Sequence, residues 1–222
     1  MGSEMCIRDR QDMNLELSAD SDFAGEEKAK STSGVFLCLV GPNTLFPLAA
    51  SSKRQPTVAW STPEAETYAA AFALRTIGIP NLDLWNILNE GKDLVMEFRE
   101  DNAGACTVIN TGKVDKLRHM SRMQDVAANW LYDAFKTISC LSLKPCTTKE
   151  QRADIFTKAF PLANAWHEAC LKINVDSASF LQAQPKKATV VTTYRHPCVV
   201  PLQDAQVLYR FFNPTSPTDC YS

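Results

Sequence analysis

Apolar residues behind Thr62 recur three and four apart, at Ala65, Tyr68, Ala69, Phe72 and Ala73. That spacing places them on one face of a helix turned into a core. The start of the helix is marked as well. Thr62 can cap it, Pro63 fits the first turn, and acids at 64 and 66 favour the positive end of the helix dipole. Glu64 reads as a first-turn acid on the solvent side. Glu66 stands beside the apolar stripe, where a carboxylate is costly unless something cationic meets it.

Upstream, Leu15 to Asp20 alternates as a strand ending in an acid, and the polar run Asp22 to Lys30 reads as a turn, with Asp22 a turn or cap residue. Gly34 to Val40 is a continuous apolar run of strand length closed by Gly41-Pro42-Asn43. Thr44 to Ala50 makes a third strand, and Pro47 puts it at an edge. Downstream, Gly78 to Pro80 breaks the helix, and Leu82 to Leu88 adds a turn or two. Leu94 to Arg99 is a strand running into Glu100-Asp101-Asn102, and Ala103 to Asn110 is a short helix. Asp125 to Lys136 is helical with Val126, Trp130, Leu131, Ala134 and Phe135 on one face, and Ile138 to Leu143 is a strand. Thr147 or Thr148 caps a helix carrying Glu150, Asp154, Ile155 and Phe156. Leu162, Ala165, Trp166, Ala169, Cys170 and Ile173 then keep helical spacing.

The order is mixed α/β: an antiparallel beginning of three strands, a parallel continuation to five, and flanking helices. The expected divisions are a leader over 1–14, a domain over 15–160, a C-terminal helix over 161–175 and a loosely ordered tail over 176–222. Met5 to Arg10 reads as an adapter-derived run and is left out of the fold.

Composition narrows the setting. A chain of 222 residues with 45% hydrophobic content suits one good-sized globular domain plus extensions. Its 23 basic and 25 acidic residues carry no general polyanion-binding signal, so a nucleic-acid partner must be held by a local basic face or through metal ions. The eight cysteines form no C-x-x-C pair, which argues against a zinc site and makes reduced thiols the default, with Cys38, Cys106 and Cys140 small buried hydrophobes. No apolar run reaches the ~20 residues that cross a bilayer, and the charged start leads into no apolar signal segment. Cytoplasm or nucleus is the expected location.

The chemistry is carried by acids at the ends of elements: Asp20, Asp101 and Asp154, with Glu66 in the first turn of its helix. If the first and fourth strands lie side by side, Asp20 and Asp101 come together and Glu66 and Asp154 project from helices above them. Converging carboxylates repel, and hard divalent cations with oxygen ligands resolve the conflict, Mg²⁺ being the usual choice. Two ions roughly 3.5–4 Å apart make a phosphodiester-cleaving centre.

Several motifs in order carry a family resemblance: Ser18-Ala19-Asp20-Ser21-Asp22-Phe23-Ala24-Gly25, Lys30-Ser31-Thr32-Ser33-Gly34, Lys53-Arg54-Gln55-Pro56-Thr57-Val58-Ala59, Glu64-Ala65-Glu66, Asp101-Asn102 and Ala153-Asp154-Ile155-Phe156-Thr157-Lys158. Over about Leu15 to Phe160 the chain resembles the ribonuclease H domain that closes the polyprotein of copia-type retrotransposons. Phe23 stands where that family usually has Trp, one core aromatic for another, and Ser-Thr-Pro stands for its common Ser-Ser-Thr. The resemblance implies a ribonuclease H-like fold and metal ligands at Asp20, Glu66, Asp101 and Asp154. It also implies two Mg²⁺ ions, for which Mn²⁺ can substitute, and hydrolysis of the RNA strand of an RNA–DNA hybrid. One ion would activate the attacking water and the other stabilise the departing 3′ oxygen. Asp20 would bridge both ions, Glu66 and Asp101 would serve one side each, and Asp154 would sit at the outer edge. A reverse transcriptase part is expected upstream in the same polyprotein, and no membrane is involved.

Choice of RNA would come from 2′-hydroxyl contacts across the minor groove, and backbone grip from Lys53, Arg54, Lys116 and Arg122. The basic run Lys113 to Arg122 serves equally as a plain solvated face, and His119 within it as a phosphate contact. Trp130 and Trp166 read as core. Two rivals stand beside the nuclease: a non-catalytic remnant that at most binds nucleic acid, and an integrase- or transposase-like nuclease. The second would end its acid set with Glu, whereas here Glu holds the second place and Asp154 the last.

Overall fold

The computed structural model describes residues 13–24, 30–88, 94–112, 122–176 and 200–201. Its centre is a five-stranded sheet of β1 (Asn14–Asp22), β2 (Thr32–Gly41), β3 (Thr44–Arg54), β4 (Met96–Glu100) and β5 (Leu141–Pro145), in the order β3-β2-β1-β4-β5. The β1–β2 and β2–β3 pairs are antiparallel, and β1–β4 and β4–β5 are parallel. This is the mixed order, antiparallel strands followed by parallel ones, expected from the sequence. The first and fourth strands are neighbours, with Ser18 opposite Arg99, so β1 and β4 both run towards the end that carries Asp20 and Asp101. β3 is an edge strand as Pro47 requires, and the register slips between Leu37 and Cys38, where Leu37 faces Ala49 and Cys38 faces Pro47.

Alternation along the strands feeds two cores. Leu15, Leu17, Ala19, Val35, Leu37, Met96 and Phe98 face one side. There they meet Ala70, Ala73 and Leu74 of the long helical segment, Ile109 of α3 (Ala103–Thr111), and Leu131 and Ala134 of α4 (Arg122–Thr137). That segment begins as α1 (Thr62–Ala73), widens through a π-turn at Leu74–Gly78 and continues as α2 (Ile79–Leu88). The expected break at Gly78–Pro80 is therefore absent. Pro80 stands directly after the π-turn, as the second residue of α2. Phe36 and Cys38 face the other side against Ile155, Phe156, Ile173 and Val175.

Other expectations shift for local reasons. Ser61, not Thr62, is the N-cap of α1, its hydroxyl accepting from the Glu64 N–H at 3.4 Å. β5 begins at Leu141 rather than Ile138, because Ile138 and Leu141 close a turn after α4. The segment around Asp154 is a single 3₁₀ turn, Ala153–Phe156, and not a full helix. Thr147 instead makes a local turn, donating N–H and Oγ1 to Glu150 Oε2 at 3.0 Å each. The last helix, α5, spans Ala163–Lys172. Trp166 is 45% exposed on it, in edge contact with Phe160, and Phe23 is 43% exposed. Neither is the core residue expected, whereas Trp130 does pack against the main core. Cys38 is fully buried, Cys106 and Cys140 only half so, and all are free thiols. Within the expected tail, Val200–Pro201 pairs in parallel with Val175–Asp176. Among the described residues no helix is long and apolar enough to cross a membrane.

Candidate active site

The C-terminal ends of β1 and β4 bring the expected acids into one electrostatic neighbourhood. Asp20 lies near the end of β1 and is buried. It faces Gly34 of β2 in register. A Cβ on Gly34 would stand 2.6 Å from Thr157 Cγ2 and 2.8 Å from the Ala153 carbonyl oxygen. The absent side chain thus lets the 3₁₀ turn lie directly on the strand and carry Asp154 beside Asp20. The turn is tied down further: Gln151 Nε2 donates to the Ala19 carbonyl at 2.8 Å, and Ser52 Oγ to the Phe156 carbonyl at 2.7 Å. Thr157 Oγ1 donates to Asp20 Oδ2.

Glu66 approaches from α1, on the other face of the sheet. Gln55, wholly buried, holds the start of that helix in place. Its Nε2 donates to Ala65 O at 2.9 Å and Ser33 Oγ at 3.0 Å, with Ser21 Oγ at 3.4 Å. Asp101 follows the end of β4 and is half-buried. Asn102 beside it caps α3, its Oδ1 accepting from the N–H groups of Gly104 and Ala105 at 2.9 and 3.1 Å, which fixes the backbone on which Asp101 sits.

The acids feel one another. Burial pushes the Glu66 carboxyl from 4.5 up to about 10, and Glu100, Asp20 and Asp101 add to the shift. Burial likewise raises Asp20, with Asp154 and Asp101 adding and Thr157 and Lys158 offsetting in part. Lys158 is the cation within the group. Its Nζ is 2.6 Å from Asp154 Oδ1 and 4.0 Å from Asp20 Oδ2. Burial alone would lower its pKa, but the bond to Asp154 and the charges of Asp20, Asp154 and Asp101 hold it above the ordinary value.

Sequence reasoning missed two members. Glu100 is fully buried, accepts from the Asn102 N–H at 3.0 Å and is raised well above its usual range, chiefly by burial and then by Asp101 and Asp20. The signal was the alternation of Met96, Phe98 and Glu100 on the buried face of β4. Lys158 was signalled by its four-residue offset from Asp154. Glu64, expected on the solvent side, is 1% exposed: its carboxylate folds back to accept from the Trp60 N–H at 2.6 Å.

The residues fit a hard cation. Buried Oε2 atoms of both Glu66 and Glu100 have no hydrogen-bond partner, and the donor set is carboxylate oxygen throughout. Among the described residues no three His, Cys, Asp or Glu side chains already stand in a metal-holding group. Asp20 is engaged by Thr157, and Asp154 by Lys158.

Of the expected nucleic-acid contacts, Lys53 and Arg54 line a depression beside α1 with Ser33, Pro56, Tyr68 and Phe72. Lys53 Nζ lies 5.3 Å from the centre of the Phe72 ring. Lys116 and His119 fall outside the described residues, and of Arg122, which opens α4, only the backbone is described.

No protein-family model matches the sequence. Among solved structures, the chain is similar to ribonuclease H1 LC11, isolated from compost by a metagenomic approach, with 14% identity and a TM-score of 0.44 over 65% of this chain and 92% of that one. It is similar to ribonuclease H1 of the halophilic archaeon Halobacterium salinarum, with 18% identity and a TM-score of 0.42 over 65% and 94%. It is also similar to the protease–reverse transcriptase of prototype foamy virus, with 8% identity and a TM-score of 0.40 over 73% of this chain and 21% of that one.

Proposed function

We propose that the chain is a metal-dependent nuclease of the ribonuclease H type, hydrolysing the RNA strand of RNA–DNA hybrids, and that it derives from the end of a copia-type retrotransposon polyprotein. The observation that carries this reading is the gathering of Asp20, Glu66, Asp101 and Asp154 where β1 and β4 end, with partnerless buried oxygens on Glu66 and Glu100. A folded chain has no structural use for such mutual repulsion. The motif order supports the polyprotein origin.

Asp20, Glu66, Asp101 and Asp154 would hold Mg²⁺, with Glu100 behind them. Bound there, the ions supply activation of water and neutralisation of charge at the scissile phosphate. The remaining contributions belong to the chain. Thr157 orients Asp20, and Asn102 fixes the backbone of Asp101. Gln55 keeps the first turn of α1, and so Glu66, in register with β1 and β2. Lys158 carries a positive charge that balances Asp154 and Asp20 and can meet a phosphate oxygen of the substrate. Lys53 and Arg54 stand at the corner of α1 and β3, suited to a backbone phosphate.

The test is substrate choice. End-labelled RNA–DNA hybrid, duplex RNA and duplex DNA of one sequence are incubated with the purified chain and Mg²⁺. Cleavage confined to the RNA of the hybrid is expected; cutting of duplex DNA, or of nothing in either Mg²⁺ or Mn²⁺, contradicts the reading.

A further inference from the structure

A second site lies behind the acids, on the face of the sheet opposite α1. Glu16 of β1 is 3% exposed, and it faces two guanidinium groups. Arg99 reaches Glu16 Oε2 through Nε and Nη2, both at 3.1 Å. Arg152 pairs with Glu16 Oε1 through Nη1 and donates Nε to the Lys172 carbonyl at 3.0 Å. Arg99 is thus held along its Nε–Nη2 edge and Arg152 through Nε and Nη1, and a guanidinium with five N–H donors has others beyond those engaged here. Arg99, Arg152, Lys149, Lys172 and Glu150 line a depression of about 280 Å³. Counting Glu16 with these residues, four cations stand against two carboxylates.

A buried carboxylate fixing two guanidiniums beside a basic hollow is a costly arrangement for stability alone, since the pair must repay the desolvation of both partners. It is well suited to an anion with tetrahedral oxygens, which planar guanidinium forks recognise. We propose that this hollow is a phosphate subsite for a nucleic-acid strand, gripping a backbone phosphodiester away from the cleaved one. This rests on the nuclease reading above. Arg99 precedes Asp101 by two residues and Arg152 precedes Asp154 by two, so the subsite is tied to the acid cluster through the same two segments. Glu16 lies four residues before Asp20, about 13 Å at the rise of a strand, a length that about four nucleotides of a duplex strand span.

Removing Arg152 or Arg99 would strand the buried Glu16, so the test uses the two outer lysines. Hybrid binding is measured by fluorescence anisotropy on the full chain carrying Asp101→Asn, which leaves the labelled hybrid uncut. Adding Lys149→Gln and Lys172→Gln weakens binding roughly 5-fold to 10-fold at low salt and reduces the slope of log affinity against log salt by about 1. Lys136→Gln, on the other face of the sheet, is the control. A loss no greater than that of the control, or no hybrid binding at all, overturns the subsite. NMR localises the contact: the Nε–H resonances of Arg99 and Arg152 shift on adding hybrid. Shifts with inorganic phosphate but not with hybrid assign the hollow to a free anion and overturn the proposal. Cleavage is read separately on the wild-type chain. A chain that cuts hybrid without using the hollow overturns only the subsite, and one that binds through the hollow without cutting overturns only the nuclease reading.

Discussion

Glu64 and Glu66 are two residues apart, both buried, and differ in what meets them. Glu64 accepts the Trp60 N–H and closes the start of its own helix; Glu66 meets other carboxyls. The consequence is a pH dependence with a definite sign. An unfolded glutamate ionises near 4.5, whereas Glu66 keeps its proton to about 10 in the folded, metal-free chain. Between those values the folded chain holds a proton that the unfolded chain has lost, so stability falls as pH rises. Glu100 and Asp20 are raised also and act in the same direction. Melting in the presence of a chelator should therefore occur at lower temperature at pH 9 than at pH 6, and Glu66→Gln should flatten the slope; a slope unchanged by Glu66→Gln would contradict the assignment. Lys158 allows a second test. Coulomb's law gives about 1 kcal/mol for unit charges 4 Å apart even in water, and its ammonium is 4.0 Å from Asp20 and nearer Asp154. Lys158→Gln should tighten Mn²⁺ binding roughly 5-fold, read by electron paramagnetic resonance of free Mn²⁺, and should lower the melting temperature of the metal-free chain. Unchanged or weaker affinity would show that the ammonium does not compete for the acids.

The 3₁₀ turn at Ala153–Phe156 decides whether the acids meet, and it depends on Gly34. Gly34→Ala would press a Cβ against Thr157 and the Ala153 carbonyl, an overpacking worth about 1–3 kcal/mol. Calorimetry should show melting lower by roughly 3–10 °C, together with weaker Mn²⁺ binding because Asp154 moves with the turn. Melting and affinity both left as in wild type would exclude this dependence. The same element shows where sequence and structure part. Strands and α1 were legible because alternation and three-to-four spacing report burial directly, and the neighbouring of β1 and β4 followed from element order. The sequence predicts a helix in place of the 3₁₀ turn because Asp154, Ile155 and Phe156 are too few to separate the two periods. Its shortness comes from tertiary ties, those of Gln151 and Ser52, which leave no local mark. Glu100 escapes the sequence reading because the pattern predicts a strand that ends one residue early, at Arg99. The continuity of α1 into α2 was hidden by Gly78 and Pro80, whose breaking tendency the π-turn absorbs. The burial of Glu64 needed the position of Trp60, which no periodicity supplies.

Across the whole molecule the sheet separates two tasks. One face is covered by α1 and α4 over the larger core and brings Glu66 to the strand ends; the other carries the 3₁₀ turn, Asp154 and the Glu16–Arg99–Arg152 group. With a near-zero net charge, −2 over the chain, the proposed hybrid binding would rest on local sites, the Lys53–Arg54 corner and the basic hollow. Cleavage should accordingly weaken steeply with added salt through binding, while the rate of bound hybrid changes little. The most direct test of the central claim is the rate of RNA cleavage in a labelled hybrid as Mg²⁺ is raised from zero, for wild type and Asp101→Asn side by side. Asp101 is half-buried and follows the end of β4, so its amide replacement keeps shape while removing one carboxylate charge from the cluster. The predicted result is Mg²⁺-dependent cleavage by wild type and a loss of at least about 100-fold in the variant. Equal cleavage by the two proteins, or cleavage by wild type that persists in a chelator, would contradict it.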